Sequence, residues 1–261
     1  MEHEVYLATA ALENSHWWFR GRRAIVTSVL DRLGVGPGAE IVELGCGTGG
    51  NLAELARYGR VWAMEPDPWA RDVAAGRGCA TVLEGSLPDA LPFGPRRFDL
   101  ALMTDVLEHV GPDRQALAAV RSLLKPGGHL VLTVPAMPSL WSSHDEAHHH
   151  QRRYRAADLR AKLIEAGFEP PYLSHFNFVL MPPIVIARLA ERVLRPRHGP
   201  GGTAHDLNRP PTLLNGILTR VFAAERHVVV RLPLPIGVSI LAIARTPAAP
   251  QASAQRLPLP N

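Results

Sequence analysis

Cysteine is scarce in this chain: 261 residues contain only Cys46 and Cys79. Two thiols cannot build a disulfide framework, and Cys46 sits inside a glycine-rich turn, so a reducing, cytoplasmic setting is expected. No stretch of about 18 consecutive apolar residues occurs, which argues against a bilayer-spanning helix. The start, Met-Glu-His-Glu-Val, lacks the basic end and apolar centre of a signal peptide. No Lys/Arg run is interleaved with aromatics, so the net charge of +4 reads as scattered surface arginine and no nucleic-acid partner is expected. The densest basic clusters, Arg20-Gly-Arg-Arg23 and Arg152-Arg-Tyr-Arg155, read as facing a ligand or attracting an anionic group on one. No internal repeat is found. With 46% hydrophobic and 20% charged residues, the composition is that of one large soluble domain, or one domain with an insertion.

What the chain does have is Ile41-Val-Glu-Leu-Gly-Cys-Gly-Thr-Gly-Gly50. An apolar strand runs into an acid at Glu43, and Gly45, Gly47 and Gly49 alternate through a tight turn that lets backbone approach a ligand closely. Asn51 to Arg57 reads as a helix pointing its free N–H groups back at that turn. The pattern Gly45-x-Gly47-x-x-Gly50 formally fits a dinucleotide fingerprint, which expects a pyrophosphate and an acid about 20 residues on. The same letters fit E-x-G-x-G-x-G, where an acid beside the turn suits a cationic ligand. Glu65, ending the second strand, suits the ribose of either ligand.

The segment resembles motif I of the class I S-adenosylmethionine (SAM) dependent methyltransferases, and three further stretches follow in that family's order. Glu84 to Phe93 resembles the loop after strand three that covers the adenine. Phe98 to Val110 resembles motif IV and the start of the next helix. Leu123 to Val134 resembles the helix–turn–strand unit whose turn is Lys-Pro-Gly-Gly. Position 86 departs from the pattern, with Ser where many members have Asp. The rival readings are an NAD-dependent oxidoreductase and a SAM-binding member that does not methylate.

Strands are expected at 40–45, 60–65, 80–84, 98–103 and 128–134, alternating with helices at 50–57, 68–76 and 113–124, then a helix at 156–166. Such alternation argues a parallel sheet covered on both faces. The resemblance implies a Rossmann-like seven-stranded sheet, mostly parallel with the last strand antiparallel, completed by strands at 171–177 and 236–245. A helical insertion is expected over 178–232, with a Gly/Pro-rich loop at 196–211. Residues 1–38 are read as a helical arm or lid whose first part ends in His16-Trp-Trp-Phe-Arg20, with the next helix at 21–33. The methyltransferase domain is placed at 39–246 and a disordered tail at 247–261.

The resemblance implies a SAM site of Arg23, Glu43, Gly45, Cys46, Gly47, Gly49, Asn51, Glu65, Pro66, Ser86, Leu87, Met103, Thr104, Asp105 and His109. Glu43 and the glycines would hold the methionine end and Glu65 the ribose, while Ser86 and Leu87 would flank the adenine. Met103 is equally readable as core. Similar W-W-F and Arg stretches occur in one branch of the family, where an arm covers the cofactor and an Arg meets its carboxylate; Arg23 is chosen here, with Arg20 as alternate. Resemblance to that branch extends to His144-Asp145 and His150-x-Arg152-Arg-Tyr154.

His144, then His148, is the choice for a base acting on an acceptor, since imidazole titrates near neutrality. Their i, i+4 spacing would suit a metal with Asp145, yet no further ligand pattern accompanies it, so no metal is expected. Trp18, Phe19, Trp141, Arg153, Tyr154 and Phe178 are expected to meet the acceptor. The apolar residues around 176–185 favour a small or medium hydrophobic molecule, natural-product-like or lipid-linked. A homodimer is left open.

Overall fold

A computed structural model of the chain describes residues 3–194 and 210–249. The runs rich in aliphatic residues form β1 (Ala39–Leu44), β2 (Gly59–Met64), β3 (Thr81–Leu83), β4 (Phe98–Thr104), β5 (Leu124–Pro135), β6 (Tyr172–Phe176) and β7 (Ser239–Arg245). They make one sheet in the order β3-β2-β1-β4-β5-β7-β6. β1 to β5 are parallel, and β7 runs antiparallel between β5 and β6. This is the Rossmann-like, mostly parallel seven-stranded sheet that the alternation and the resemblance implied.

Side chains alternate across the strands, so each residue parity feeds its own core. On one face Val42, Leu44, Ala101, Leu130 and Leu132 pack with Leu117 and Val120 of α5 (Asp113–Leu123) and Leu159 and Leu163 of α7 (Ala156–Glu165). On the other, Ile41, Leu100, Leu102, Val131 and Leu241 pack with Ile25 and Val29 of α2 (Trp17–Leu33) and Phe222 of α9 (Thr212–Ala224). Each such fully buried aliphatic or aromatic side chain contributes about 1.5–3 kcal/mol.

Several boundaries differ from the sequence reading. The arm is α1 (His3–Leu12), and the Trp-Trp-Phe-Arg run does not end it. His16 N-caps α2 instead, its ring accepting from the Trp18 N–H, so that run forms the first turn of α2. The helix expected over 50–57 is the single turn α3 (Leu52–Leu55), and α4 spans Pro68–Ala75. The Lys-Pro-Gly-Gly turn is a bulge within β5, where the partners of Phe98 and Leu100 jump from Leu124 to His129. After β4 comes a 3₁₀ turn over Leu107–His109 before α5 begins. The loop expected around His144 contains the short helix α6 (Ser143–Ala147).

The insertion is helical where described, with α8 (Met181–Leu194), α9 and α10 (Arg226–Val229). Its aromatics join the arm: Trp18 and Phe222 stack with centroids 5.2 Å apart, and Asn215 accepts from the Trp17 N–H at 2.9 Å. Gly21 of α2 sits where a Cβ would collide with the Phe222 ring, so glycine permits this close helix crossing. Most of the loop at 196–211 and of the tail at 247–261 lies outside the described residues. No helix among the described residues is long and apolar enough to cross a membrane.

Candidate active site

The chain leaves β1 outward to β2 and β3, then returns to place β4 on β1's other side. Strand order reverses there, and the crevice beyond the carboxyl ends of β1 and β4 is the expected ligand position. The turn after β1 is tied to β2 by the Gly45 and Cys46 N–H groups, which both donate to the Met64 carbonyl at 2.8 and 3.0 Å. Gly45 has φ +70°, and a Cβ there would lie 2.9 Å from Val106 Cγ2. Backbone hand and space both demand glycine at that position.

Behind the turn, Glu43 is buried and accepts from Asn51 Nδ2 at 2.6 Å; the same amide reaches Thr104 Oγ1 at 3.1 Å, bridging β1 to β4. The other Glu43 oxygen has no hydrogen-bond partner. Burial pushes this carboxyl up to about 7, against the opposing effects of Asn51 and Arg22.

Glu65, after β2, accepts from the Gly47 N–H at 2.8 Å, from the Asp67 N–H at 3.1 Å and from the Tyr6 hydroxyl at 2.9 Å. Burial and the Glu65 charge keep the Tyr6 phenol far above its ordinary range, so it remains a donor. On the same arm, Glu13 accepts from Thr48 Oγ1 at 2.9 Å and pairs with Arg77. The arm α1 is thereby fastened across the glycine turn. Sequence reasoning missed Tyr6 and Glu13, because contacts over 59 and 35 residues leave no local signal.

Across the crevice, Asp105 has φ +55° and accepts from Thr133 Oγ1 at 3.0 Å. Its second oxygen pairs with Arg22, which the sequence reading passed over. Arg23, chosen there, lies with its Nε 3.7 Å from Glu54. Both guanidinium-bearing side chains line the crevice beside Trp18 and Phe19.

The third wall follows β5. Ser142 and Asp145 form a capping box on α6, and buried Asp145 also pairs with Arg153 Nε and His150 Nδ1, both at 2.8 Å. Those partners outweigh burial and hold its carboxyl well below the usual range. His148 Nδ1 lies 2.9 Å from the His144 carbonyl, and the two rings are 4.0 Å apart. Burial lowers His148 to about 3 and His109 to about 4, so both are neutral near pH 7. The same burial, reinforced by Asp105, raises Glu108 far above the carboxylate range.

These walls enclose a cavity of about 730 Å³. Of the residues predicted from sequence, it brings together Trp18, Phe19, Arg23, Gly45, Cys46, Gly47, Asn51, Thr104, Asp105, His109, His144, His148 and Arg153. Glu43, Gly49, Glu65, Pro66, Ser86, Leu87, Trp141 and Phe178 are not on its surface, though Glu43 and Glu65 touch residues that are. Two further residues of the sequence-predicted site lie away from the cavity. Met103 is fully buried core. The Tyr154 hydroxyl, expected at the acceptor, is buried against Asp113 Oδ2, at 3.0 Å, and the Leu107 carbonyl.

A glycine cradle at a strand-order reversal, with acids ending the first two strands, defines a nucleoside-binding α/β fold of the methyltransferase type. A family model described as a methyltransferase domain matches residues 18–172. The chain belongs to that family, the class I SAM-dependent methyltransferases. A demethylmenaquinone methyltransferase of Tropheryma whipplei is 32% identical over 130 residues, covering 48% of this chain and 51% of the relative. The chain spans about a third to three fifths of the length of the first curated relatives it matches. In fold it is similar to a SAM-dependent methyltransferase of Thermotoga maritima, with TM-score 0.57 and 18% identity over 92% of this chain and 99% of that one. It is also similar to Haemonchus contortus phosphoethanolamine N-methyltransferase 2 in complex with SAM, with TM-score 0.56 and 16% identity over 84% and 51%. The residues present fit that cofactor: Gly47 leaves open space at the turn, and the unpartnered oxygen of Glu43 offers a counter-charge for a cationic ligand.

Proposed function

We propose that this chain transfers the methyl group of SAM to a hydroxyl or amine of a small or medium, mostly apolar acceptor, natural-product-like or lipid-linked. The observation that carries the reading is one continuous cavity. It joins the turn at Gly45–Asn51 to an apolar stretch (Trp18, Phe19, Leu140, Ile184) and to the ring of His144. SAM, when bound, supplies a methyl carbon already activated by its sulfonium; the protein's task is to orient the acceptor and exclude water.

Glu43, Asn51 and the glycine turn would hold the cofactor's amino-acid end, with Arg22 or Arg23 on its carboxylate. Glu65 would take the ribose hydroxyls, exchanging its bond to Tyr6, while Ser86 and Leu87 flank the base. His144 is the group for the acceptor proton, because a His148 lowered to about 3 is a poor base at neutrality. The apolar wall favours a hydrophobic acceptor, and the relative named for demethylmenaquinone is consistent with one.

The test incubates the chain with labelled SAM and candidate acceptors, following S-adenosylhomocysteine and the methylated product. His144→Ala is expected to lower turnover about 100-fold or more with SAM affinity unchanged. Unchanged turnover ends the base assignment, and SAM binding with no product from any apolar acceptor ends the proposed substrate class.

A further inference from the structure

Glu108, His109 and His150 meet at the cavity wall, each offering one ligand-type atom within 4.8 Å of the others. Glu108 is fully buried, and neither carboxylate oxygen has a hydrogen-bond partner. Nearby cations are committed elsewhere: Arg22 pairs with Asp105 and Arg153 with Asp145. Three carboxylates therefore face two guanidiniums, and Glu108 is the one left over. A buried carboxyl without a partner keeps its proton unless a cation sits against it.

The His150 imidazole is oriented from behind. His150 Nδ1 lies 2.8 Å from Asp145 Oδ1, and Asp145 is itself fixed by the Ser142 N–H at 3.0 Å and by Arg153. The His109 ring packs edge-on against His150, with centroids 4.7 Å apart. With Nδ1 of His150 committed to Asp145, its Nε2 is the nitrogen left to act as ligand, the carboxylate–histidine–metal arrangement that fixes tautomer and aim. The two halves of the site are also stitched together. The Gln151 N–H donates to the Glu108 carbonyl at 2.7 Å, and Arg152 donates to the Val110 and Gly111 carbonyls at 3.0 and 2.8 Å.

We propose that Glu108, His109 and His150 bind one divalent first-row cation of the zinc or manganese class, with coordination positions open to the cavity. Two imidazoles and one carboxylate suit such ions better than calcium or magnesium, which prefer all-oxygen sets. The His144–His148–Asp145 grouping is a poorer site, because His148 Nδ1 is turned to a backbone carbonyl and Asp145 is spent on His150 and Arg153. Under the methyl-transfer reading, on which this last step rests, the open positions receive an acceptor oxygen and make its proton easier to remove. His144, its ring centroid 6.0 Å from that of His150, stands beside it.

The test is calorimetric titration of the full, untagged, metal-stripped chain with zinc chloride and with manganese chloride, without cofactor or acceptor. One ion per chain is expected. Glu108→Gln and His109→Gln are each expected to abolish that binding while keeping the parent's far-UV circular dichroism and a cooperative thermal transition, which shows that they are folded. Asp145→Asn, a positioning change, is expected to weaken it about 10–100-fold. His149→Ala, at the exposed neighbour in the same histidine run, is expected to leave it unchanged. No binding by the unmutated chain, or equal binding by Glu108→Gln, overturns the site. Because no methyl transfer is read, the site and the proposed function can fail separately.

Discussion

Replacing Glu43 with Gln tests whether the cofactor turn stores electrostatic strain. The carboxyl is fully buried, has one oxygen without a partner, and is moved from an ordinary 4.5 to about 7, chiefly by burial. Between those two values the folded chain keeps the proton and the unfolded chain has released it, so Glu43 makes stability fall as pH rises through that window. Near pH 8 the ionised group costs the folded state about 3 kcal/mol. Gln keeps the acceptor for Asn51 and removes the charge, but its amide N–H₂ is unpaired, which takes back about 1 kcal/mol. The expected net gain near pH 8 is about 2 kcal/mol; near pH 5 it vanishes or reverses. Chemical denaturation of both proteins at the two pH values measures it, with SAM affinity read alongside and expected to fall about 10–100-fold for loss of a charge-assisted bond. A Gln variant less stable than the parent near pH 8, or a difference that ignores pH, refutes the reasoning.

Two further outcomes follow from the same geometry. Gly45→Ala puts a Cβ against Val106 at φ +70° and is expected to cost about 1–3 kcal/mol, with a matching loss of SAM affinity; a melting temperature and affinity equal to the parent's would contradict it. His109, lowered from 6.5 to about 4 by burial and by His150, binds its proton less readily when folded, so its contribution to stability is lost as pH falls from 6.5 towards 4. His109→Gln should therefore lose less melting temperature than the parent between pH 7 and 5, and parallel acid curves would exclude that role.

The parts of the site written in local sequence were readable. Glu43 and Glu65 announce themselves as acids ending apolar strands, and alternating glycines can only mean a backbone turn of unusual hand. What local sequence left open were questions of facing. β4 is covered on both faces, so burial along it hardly varies and its pattern could not separate Met103, a core residue, from Thr104, a cavity residue. Arg22 and Arg23 differ by about 100° of helix rotation, yet both line the crevice, Arg22 against Asp105 and Arg23 near Glu54. Tyr154 was placed at the acceptor because its partner, Asp113, lies 41 residues away. Nothing local marks Glu108; only the packed fold shows both of its carboxylate oxygens buried without a hydrogen-bond partner.

The central claim is a pocket at the β1–β4 reversal that takes SAM. Titration calorimetry of the folded full chain with SAM, S-adenosylhomocysteine and NAD tests it most directly. One site for each sulfur compound and no heat from NAD is the predicted result; heat from NAD alone, or from none of the three, would contradict it.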